Sequence, residues 1–533
     1  MAQVLINRGI TNPSEAEKFL NVKLSNLLDP FSFSEMPEVV QRIKQAGKLK
    51  EKVMIFGDYD ADGITSVALL KNSLLKIGLD VIHYLPHRVK EGYGLTKNIA
   101  KIAKEKKIKL LITVDCGISN ILEIAELKKY NIDTIITDHH EPQGRELPPA
   151  LSIINPKIKN SNYKYRDLAG VGVTYKLCQA LSDSRLVDEL DLVALGTIAD
   201  VVPLTGENRI IAKEGLLRLA KTKKPGLRAL IDNAGIRNKK FTSTFVSFIL
   251  APRLNASGRM ASAEDSLNLL LTDDVSEAEK LAKVIEQHNR TRQKIEGKIM
   301  EEAEAIINKE INFKDHQVIV VAKEGWHQGV LGIVASKLAD RFYRPAIVIS
   351  LDEELCKGSA RSIKNFHLFQ ALLECKKFLH AFGGHAHAAG LVITKDNIND
   401  FKESINRLAH EQLRLEDLLP SLDVDIEVVL ADLNDQVIQE LERLEPFGTA
   451  NPEPLFYTKG LKLKGEPLVL GRETIKFWVT DGSVTFQAIG FGMSSFRENL
   501  RSAANLDLVY TPRMDNWQDE SSVILEVKDM FFS

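Results

Sequence analysis

The sequence predicts a multidomain α/β protein: a first body on a parallel sheet, a long connecting helix, a second α/β body and a C-terminal β-barrel. Three observations carry this. Short β-branched runs alternate with helix-length stretches over residues 53–156; residues 276–308 are densely charged with one Gly and no Pro; and residues 461–533 show strand-like alternation. At 533 residues the chain exceeds what one hydrophobic core supports, so two or three domains are expected.

In the first region the runs VMIF, VIHYL, LLITV, DTIIT and LSIIN are read as strands. Residues 64–77 and 96–106 have helix length with apolar positions three and four apart. Beyond residue 170 the pattern turns helical. Residues 276–308 read as a solvated helix joining two bodies, and the main boundary is placed there. Strands VIVVA and AIVIS then flank a helix expected near Gly329, and a DG turn at Asp481 and Gly482 signals a hairpin in the last region. The expected domains are residues 1–275, the helix 276–310, a second body at 311–415, and a linker with barrel at 416–533.

Apolar residues are 44% and charged residues 27%, the range of folded globular proteins, and 70 Lys and Arg nearly balance 72 Asp and Glu. No global field attracts a polyanion or an acidic membrane, so nucleic-acid contact needs local basic patches. The four cysteines are scattered without a C-x-x-C pair, which argues against disulfides and thiolate zinc and fits a reducing cytoplasm. No apolar run has membrane-spanning length, and the N-terminus lacks a signal-peptide core.

In VMIFGDYDADGIT a strand runs into Asp58, Asp60 and Asp62 at alternate positions, which strand geometry would point to one side. Carboxylates so close repel unless a cation neutralises them. Gly57 and Gly63 are expected to let the chain turn around it. A solvated Asp-rich turn is the alternative for the cluster alone. Three further apolar runs end in Asp115, in Asp138-His139-His140, and in Asp200. Ligands of an open parallel sheet gather beyond the carboxyl ends of the strands, so these residues are expected in one crevice. Since neighbours on a strand face oppositely, His139 and His140 are expected to divide between ligand and substrate contact. Carboxylates with imidazole and no thiolate favour Mn²⁺ or Mg²⁺, and two such ions suit phosphoester hydrolysis.

In order, DYDADG, TVDCG, DHH and ADVVPL resemble the four motifs of the DHH phosphoesterase superfamily. That resemblance implies two divalent cations, Mn²⁺ or Mg²⁺, held by Asp60, Asp62, Asp115, His139 and Asp200, with Asp58 a further candidate. It sets Asp138 and His140 beside the substrate phosphate or behind the ligands, so Asp138, His139 and His140 are the catalytic candidates. GWHQGVLGIVASKL, GSARS and GGHAHAAG are similar to the DHH-associated domain of the RecJ family, as are APRLNASGRM and LEPFGTANPEPLF to other RecJ segments. Ala450 stands where that family's pattern usually has Gly. The DNA-contact candidates are Arg253, Asn255, Arg259, Ser359, Arg361, Gly383, Gly384 and His385. A capped loop is the alternative for APRLNASGRM, and a packed turn for GGHAHAAG. Phe477, Trp478 and Phe486 are candidates for base stacking, with barrel core the alternative for at least two.

The resemblance implies a metal-dependent, single-stranded-DNA-specific 5′→3′ exonuclease that releases 5′-mononucleotides in recombination and repair, with an oligonucleotide-binding (OB) fold as the barrel. It further implies a cytoplasmic monomer partnered by single-stranded DNA, single-strand-binding protein and a RecQ-type helicase. Relative to that family the chain begins close before its RGI segment, with an expected effect on stability and not on chemistry. The rival readings are a phosphodiesterase of cyclic dinucleotides or short RNA and a catalytically inactive replication scaffold. Chain length opposes the first and the complete acidic set opposes the second.

Overall fold

The computed structural model describes residues 1–533 except 143, 145, 183, 236–239, 353 and 516–521. The first sheet contains β1 (Lys52–Gly57), β2 (Asp80–Tyr84), β3 (Ile108–Val114), β4 (Asp133–Thr137) and β5 (Ser152–Ile154). All pair in parallel, in the order β2-β1-β3-β4-β5. The five runs read as strands are these five. The strand order reverses between β1 and β3, which opens a crevice at their carboxyl ends. Val53, Ile55, Leu110 and Ile112 are fully buried, and such burial contributes about 1.5–3 kcal/mol per side chain. Helices Ala61–Lys76, Gly170–Ser182 and Leu190–Ala199 pack together over this sheet's core.

The connecting helix, Val275–Glu310, starts on Asp274, whose side chain accepts from Glu277 N. It is not solvated all round. Ala278, Ala282, Ile285, Asn289, Arg292, Glu296, Ile299, Ala303 and Ile307 form one buried stripe at helical spacing. The stripe's middle is polar: Arg292 donates to Glu296 (2.6 Å) and Asn289 (2.5 Å), so the segment's hydrophobicity hides its burial.

The second body is a mixed sheet ordered β6-β7-β8-β10-β9, from β6 (Ile319–Glu324), β7 (Ala346–Leu351), β8 (Cys356–Arg361), β9 (Leu379–Gly384) and β10 (Ala388–Ile393). Helix Leu331–Phe342 crosses between β6 and β7, as expected near Gly329. The last body holds β11 (Ile426–Glu427), β12 (Phe456–Leu470), β13 (Thr474–Thr480), β14 (Thr485–Gly490), β15 (Leu506–Asp515) and β16 (Ser522–Phe532). Pairing of β12 with β15 closes β12–β16 into a barrel. The hairpin turn forms as the DG pair suggests: Asp481 Oδ1 accepts from Ser483 N and Val484 N, and Gly482 takes φ +95°. Among the described residues, no helix is long and apolar enough to cross a membrane.

Candidate active site

The carboxylates converge, but not by strand alternation. β1 ends at Gly57; Asp58 follows it, Asp60 caps helix Ala61–Lys76 by accepting from Asp62 N and Gly63 N, and Asp62 lies in that helix's first turn. Gly57 and Gly63 serve close approach and not turning. A Cβ on Gly63 would lie 2.7 Å from Asp58 C, and one on Gly57 would run into Val67. Asp62 Oδ2 and Oδ1 accept from Gly170 N and Val171 N, each at 2.7 Å, at the start of helix Gly170–Ser182.

Asp115 follows β3 with φ +59°, a costly conformation for a residue with a side chain. A Cβ on Gly170 would come within 2.5 Å of its Oδ1, so glycine there keeps the carboxylate's space. Asp138, His139 and His140 follow β4 in a loop, which removes the strand argument for dividing the two histidines. Asp138 accepts from His139 N (2.7 Å), His140 N (3.1 Å), His140 Nδ1 (2.8 Å) and Ile118 N (2.9 Å), so it shapes the loop. Asp200 comes from a helix end, as the C-cap of Leu190–Ala199.

Three sets of ligand atoms result: Asp58, Asp60 and Asp115; Asp62, His139 and Asp200; and Asp115, His139 and His140, the atoms of each lying within 4.8 Å of one another. His139 Nε2 is 3.1 Å from Asp115, 3.6 Å from Asp200 and 3.9 Å from Asp62. Buried Asp58 Oδ1, Asp115 Oδ1, Asp200 Oδ2 and His139 Nε2 have no hydrogen-bond partner. Burial and then neighbouring carboxylates raise Asp58, Asp115 and Asp200 well above the usual carboxylate range, and Asp62 to about 7. Burial and His140 depress His139 to about 3, leaving a neutral imidazole at pH 7. Orphaned buried oxygens, mutual repulsion and a neutral imidazole are what a dication site requires, so these residues fit divalent cations.

His140 has a different setting. Burial would lower it, yet its hydrogen bond and charge interaction with Asp138 raise it, and the Tyr93 hydroxyl lies 3.0 Å from Nδ1. Tyr93 also donates to Asp115 O (3.2 Å).

Across the crevice lies a basic wall. A cavity of about 430 Å³ is lined by Tyr59, Arg88, Gln328, Lys357, Ser359 and Gly383, among others, so both bodies contribute. Arg88 stacks over Tyr59 (4.8 Å to the ring centre), and Lys357 donates to Val89 O (3.1 Å). Ser359 and Arg361 face Gly332, where a Cβ would lie 3.0 Å from Ser359 Oγ and 3.2 Å from Arg361 Nη2, at the start of helix Leu331–Phe342. Burial and then Arg88, Arg292 and Arg361 pull Arg259 down to about 9. Like-charged guanidiniums gathered at a helix N-terminus make an anion-binding wall.

Of the expected DNA contacts, Ser359 and Gly383 line this cavity; Arg259 borders it, donating to Gly329 O (3.0 Å), and Arg361 lies beside Ser359 against Gly332. Burial and then His387, Arg361 and His140 lower His385, so it lies within reach of both bodies' charges. Gly384 (φ +146°) has no room for a Cβ beside Ala388 and Ala389 and makes the β9–β10 turn. Arg253 is engaged elsewhere, pairing with Glu286 of the connecting helix (2.8 Å), and Asn255 Oδ1 accepts from Ala61 N (2.7 Å), pinning the helix that carries Asp62. The residues 251–260 form a helix, so these side chains project in different directions. Arg88 and Tyr93 were not singled out by sequence. Gly92 and Gly94, both with positive φ, bracket Tyr93 and were the available signal.

The "DHH family, N-terminal domain" model matches residues 52–197, "DHHA1 domain" 315–411 and "RecJ OB domain" 424–529. The chain is 41% identical to the single-stranded-DNA-specific exonuclease RecJ of Bacillus subtilis over 99% of its own length and 67% of the relative's. It is 35% identical to that of Haemophilus influenzae over 92% and 88%. The chain belongs to the RecJ family. RecJ from Thermus thermophilus in complex with Mn²⁺ superposes with a TM-score of 0.86 at 28% identity, covering all of this chain and 75% of that one. Its Mg²⁺ complex gives 0.79 at 26% identity, over 99% and 74%. The DHH, DHH-associated and OB bodies expected from sequence are therefore present in RecJ order.

Proposed function

We propose that this RecJ-family chain is a metal-dependent exonuclease that hydrolyses single-stranded DNA from its 5′ end to 5′-mononucleotides, in recombination and repair. The observation that carries the reading is the pairing of a carboxylate-imidazole cluster, fit for divalent cations, with an arginine wall across one crevice between two bodies. Asp58, Asp60, Asp62, Asp115, His139 and Asp200 would hold two cations, Mn²⁺ or Mg²⁺. When bound, such cations neutralise phosphate charge and activate water for attack on a phosphodiester.

The chain's own residues bind and orient. Arg88, Arg259 and Arg361 hold the strand's phosphates, with Ser359 donating, and Gly383 lets the backbone approach. His140, whose pKa Asp138 raises against the lowering effect of burial, offers a ring N–H toward the same phosphate. The 5′→3′ polarity in this reading comes from membership of the RecJ family, and the arginines would take the phosphate at the 5′ end.

Domain division at residues 275, 310 and 415 belongs to the same proposal, as do a monomeric state, a cytoplasmic setting, and single-strand-binding protein and a RecQ-type helicase as partners. All four cysteines are free and buried, in keeping with a reducing compartment. The test is Arg361→Ala assayed on single strands with and without a 5′ phosphate. The variant should lose about tenfold in kcat/KM on the phosphorylated strand and much less on the other; equal losses contradict the terminal-phosphate role.

A further inference from the structure

The Asp200-bearing turn is held from outside its own body. Val201, directly after Asp200, has φ +62° and is 64% exposed, a strained state for a β-branched residue with no burial to fix it. Three residues on, Leu204 N donates to Thr449 O (2.8 Å), and Leu204 packs against Gly448, where a Cβ would lie 2.7 Å from Leu204 Cδ1. The segment 443–451 leads into the barrel and is hydrogen-bonded to itself: Asn451 Nδ2 donates to Leu444 O and Pro446 O (2.8 Å each), and Gly448 and Asn451 bond to each other.

Arg209 fixes that segment. It is 2% exposed and donates to the carbonyls of Phe19 (2.9 Å), Leu444 (2.8 Å), Arg443 (3.0 Å), Glu445 (3.0 Å) and Pro446 (3.5 Å). Among the described residues, no carboxylate lies within salt-bridge distance of it. A buried guanidinium that gives its N–H groups to main-chain carbonyls, and stacks on the Phe19 ring (3.9 Å to its centre), holds a loop's shape and not a charge partner. Ser243 Oγ donates to Phe447 O from the same body.

We propose that Arg209 and Gly448 are positioning residues for Asp200: the segment leading into the OB barrel holds the strained Val201 turn, so that the metal site is complete only with the barrel docked. This rests on the reading of Asp200 as a metal-holding carboxylate. Removing the clamp lets Val201 relax toward negative φ and swings Asp200 away from His139.

The test titrates Mn²⁺ alone into the full chain, following free Mn²⁺ by its paramagnetic resonance, with circular-dichroism melting to verify folding. Arg209→Lys and Gly448→Ala should each weaken binding about tenfold while folded at the assay temperature. Adding Val201→Gly to either should restore binding to within twofold, because glycine needs no clamp at φ +62°. A purely stabilising role would lower the melting temperature without moving Mn²⁺ affinity, and Val201→Gly would not rescue it. The proposal is overturned if a folded variant binds within twofold of the parent, or if Val201→Gly fails to restore binding. Should Arg209→Lys not fold, Gly448→Ala decides. A parent that binds no Mn²⁺ overturns the metal-site reading as well, whereas a parent that binds beside an unaffected variant overturns the clamp alone.

Discussion

Ala450 has φ +59°, the region that favours glycine, and it is the position where the RecJ pattern usually carries Gly. A left-handed Ala costs roughly 1–2 kcal/mol, and glycine gives back about half in unfolded-chain entropy, so Ala450→Gly should stabilise by about 0.5 kcal/mol in urea unfolding. Gly170→Ala acts at the site instead. Its methyl would lie 2.5 Å from Asp115 Oδ1, and a displaced ligand of this kind costs on the order of 100-fold in kcat, with a circular-dichroism spectrum unchanged. The clustered aspartates were legible because Asp58, Asp115 and Asp200 directly follow apolar runs, and such runs deliver side chains to one crevice. Arg253 and Arg259 were not separable. Only the helix at 251–260 decides that one pairs with Glu286 and the other faces the crevice. Arg88 and Tyr93 lie between β2 and the next helix, where no periodicity marks a side chain's direction.

At the scale of elements, strands β1, β3 and β4 and the helices beginning at Ala61 and ending at Ala199 drive like charges together. Asp62 shows the consequence, its folded-state value of about 7 lying above its unfolded one. The folded, metal-free chain therefore holds protons that the unfolded chain releases, so stability should fall as pH rises between about 4 and 7. Melting in EDTA across this window should show that decline, by roughly 5 °C, and Mn²⁺ should stabilise more at pH 8 than at pH 6. In the barrel, period two gave the strands but not their outward face. Phe477 is 1% exposed and Trp478 45%, while Phe486 packs against the core, so one candidate of the three is free to stack. Trp478→Ala should weaken single-strand binding by about 1–3 kcal/mol in fluorescence anisotropy, and Phe477→Ala should cost stability instead. The connecting helix was legible as a helix, yet its buried face was not, because Asn289, Arg292 and Glu296 are polar residues satisfied by one another and by neighbouring bodies.

For the whole molecule, the order of bodies could be read along the chain, since each has its own periodicity. The return of residues 443–451 onto the first body could not, because a contact between Arg209 and carbonyls more than two hundred residues away leaves no local pattern. The crevice joins a carboxylate cluster on the first body to arginines from both bodies and to Ser359 of the second. Whether that crevice is one nuclease site is measured by digesting single strands labelled at either end, beside the same sequence as a blunt duplex and a dinucleotide, with Mn²⁺ or Mg²⁺, using the parent and Asp115→Asn. 5′-Mononucleotides should be released first from the 5′ end of the single strand, with little attack on the duplex and a loss of at least roughly 1,000-fold in Asp115→Asn. Activity confined to the dinucleotide, or undiminished in Asp115→Asn, would contradict it.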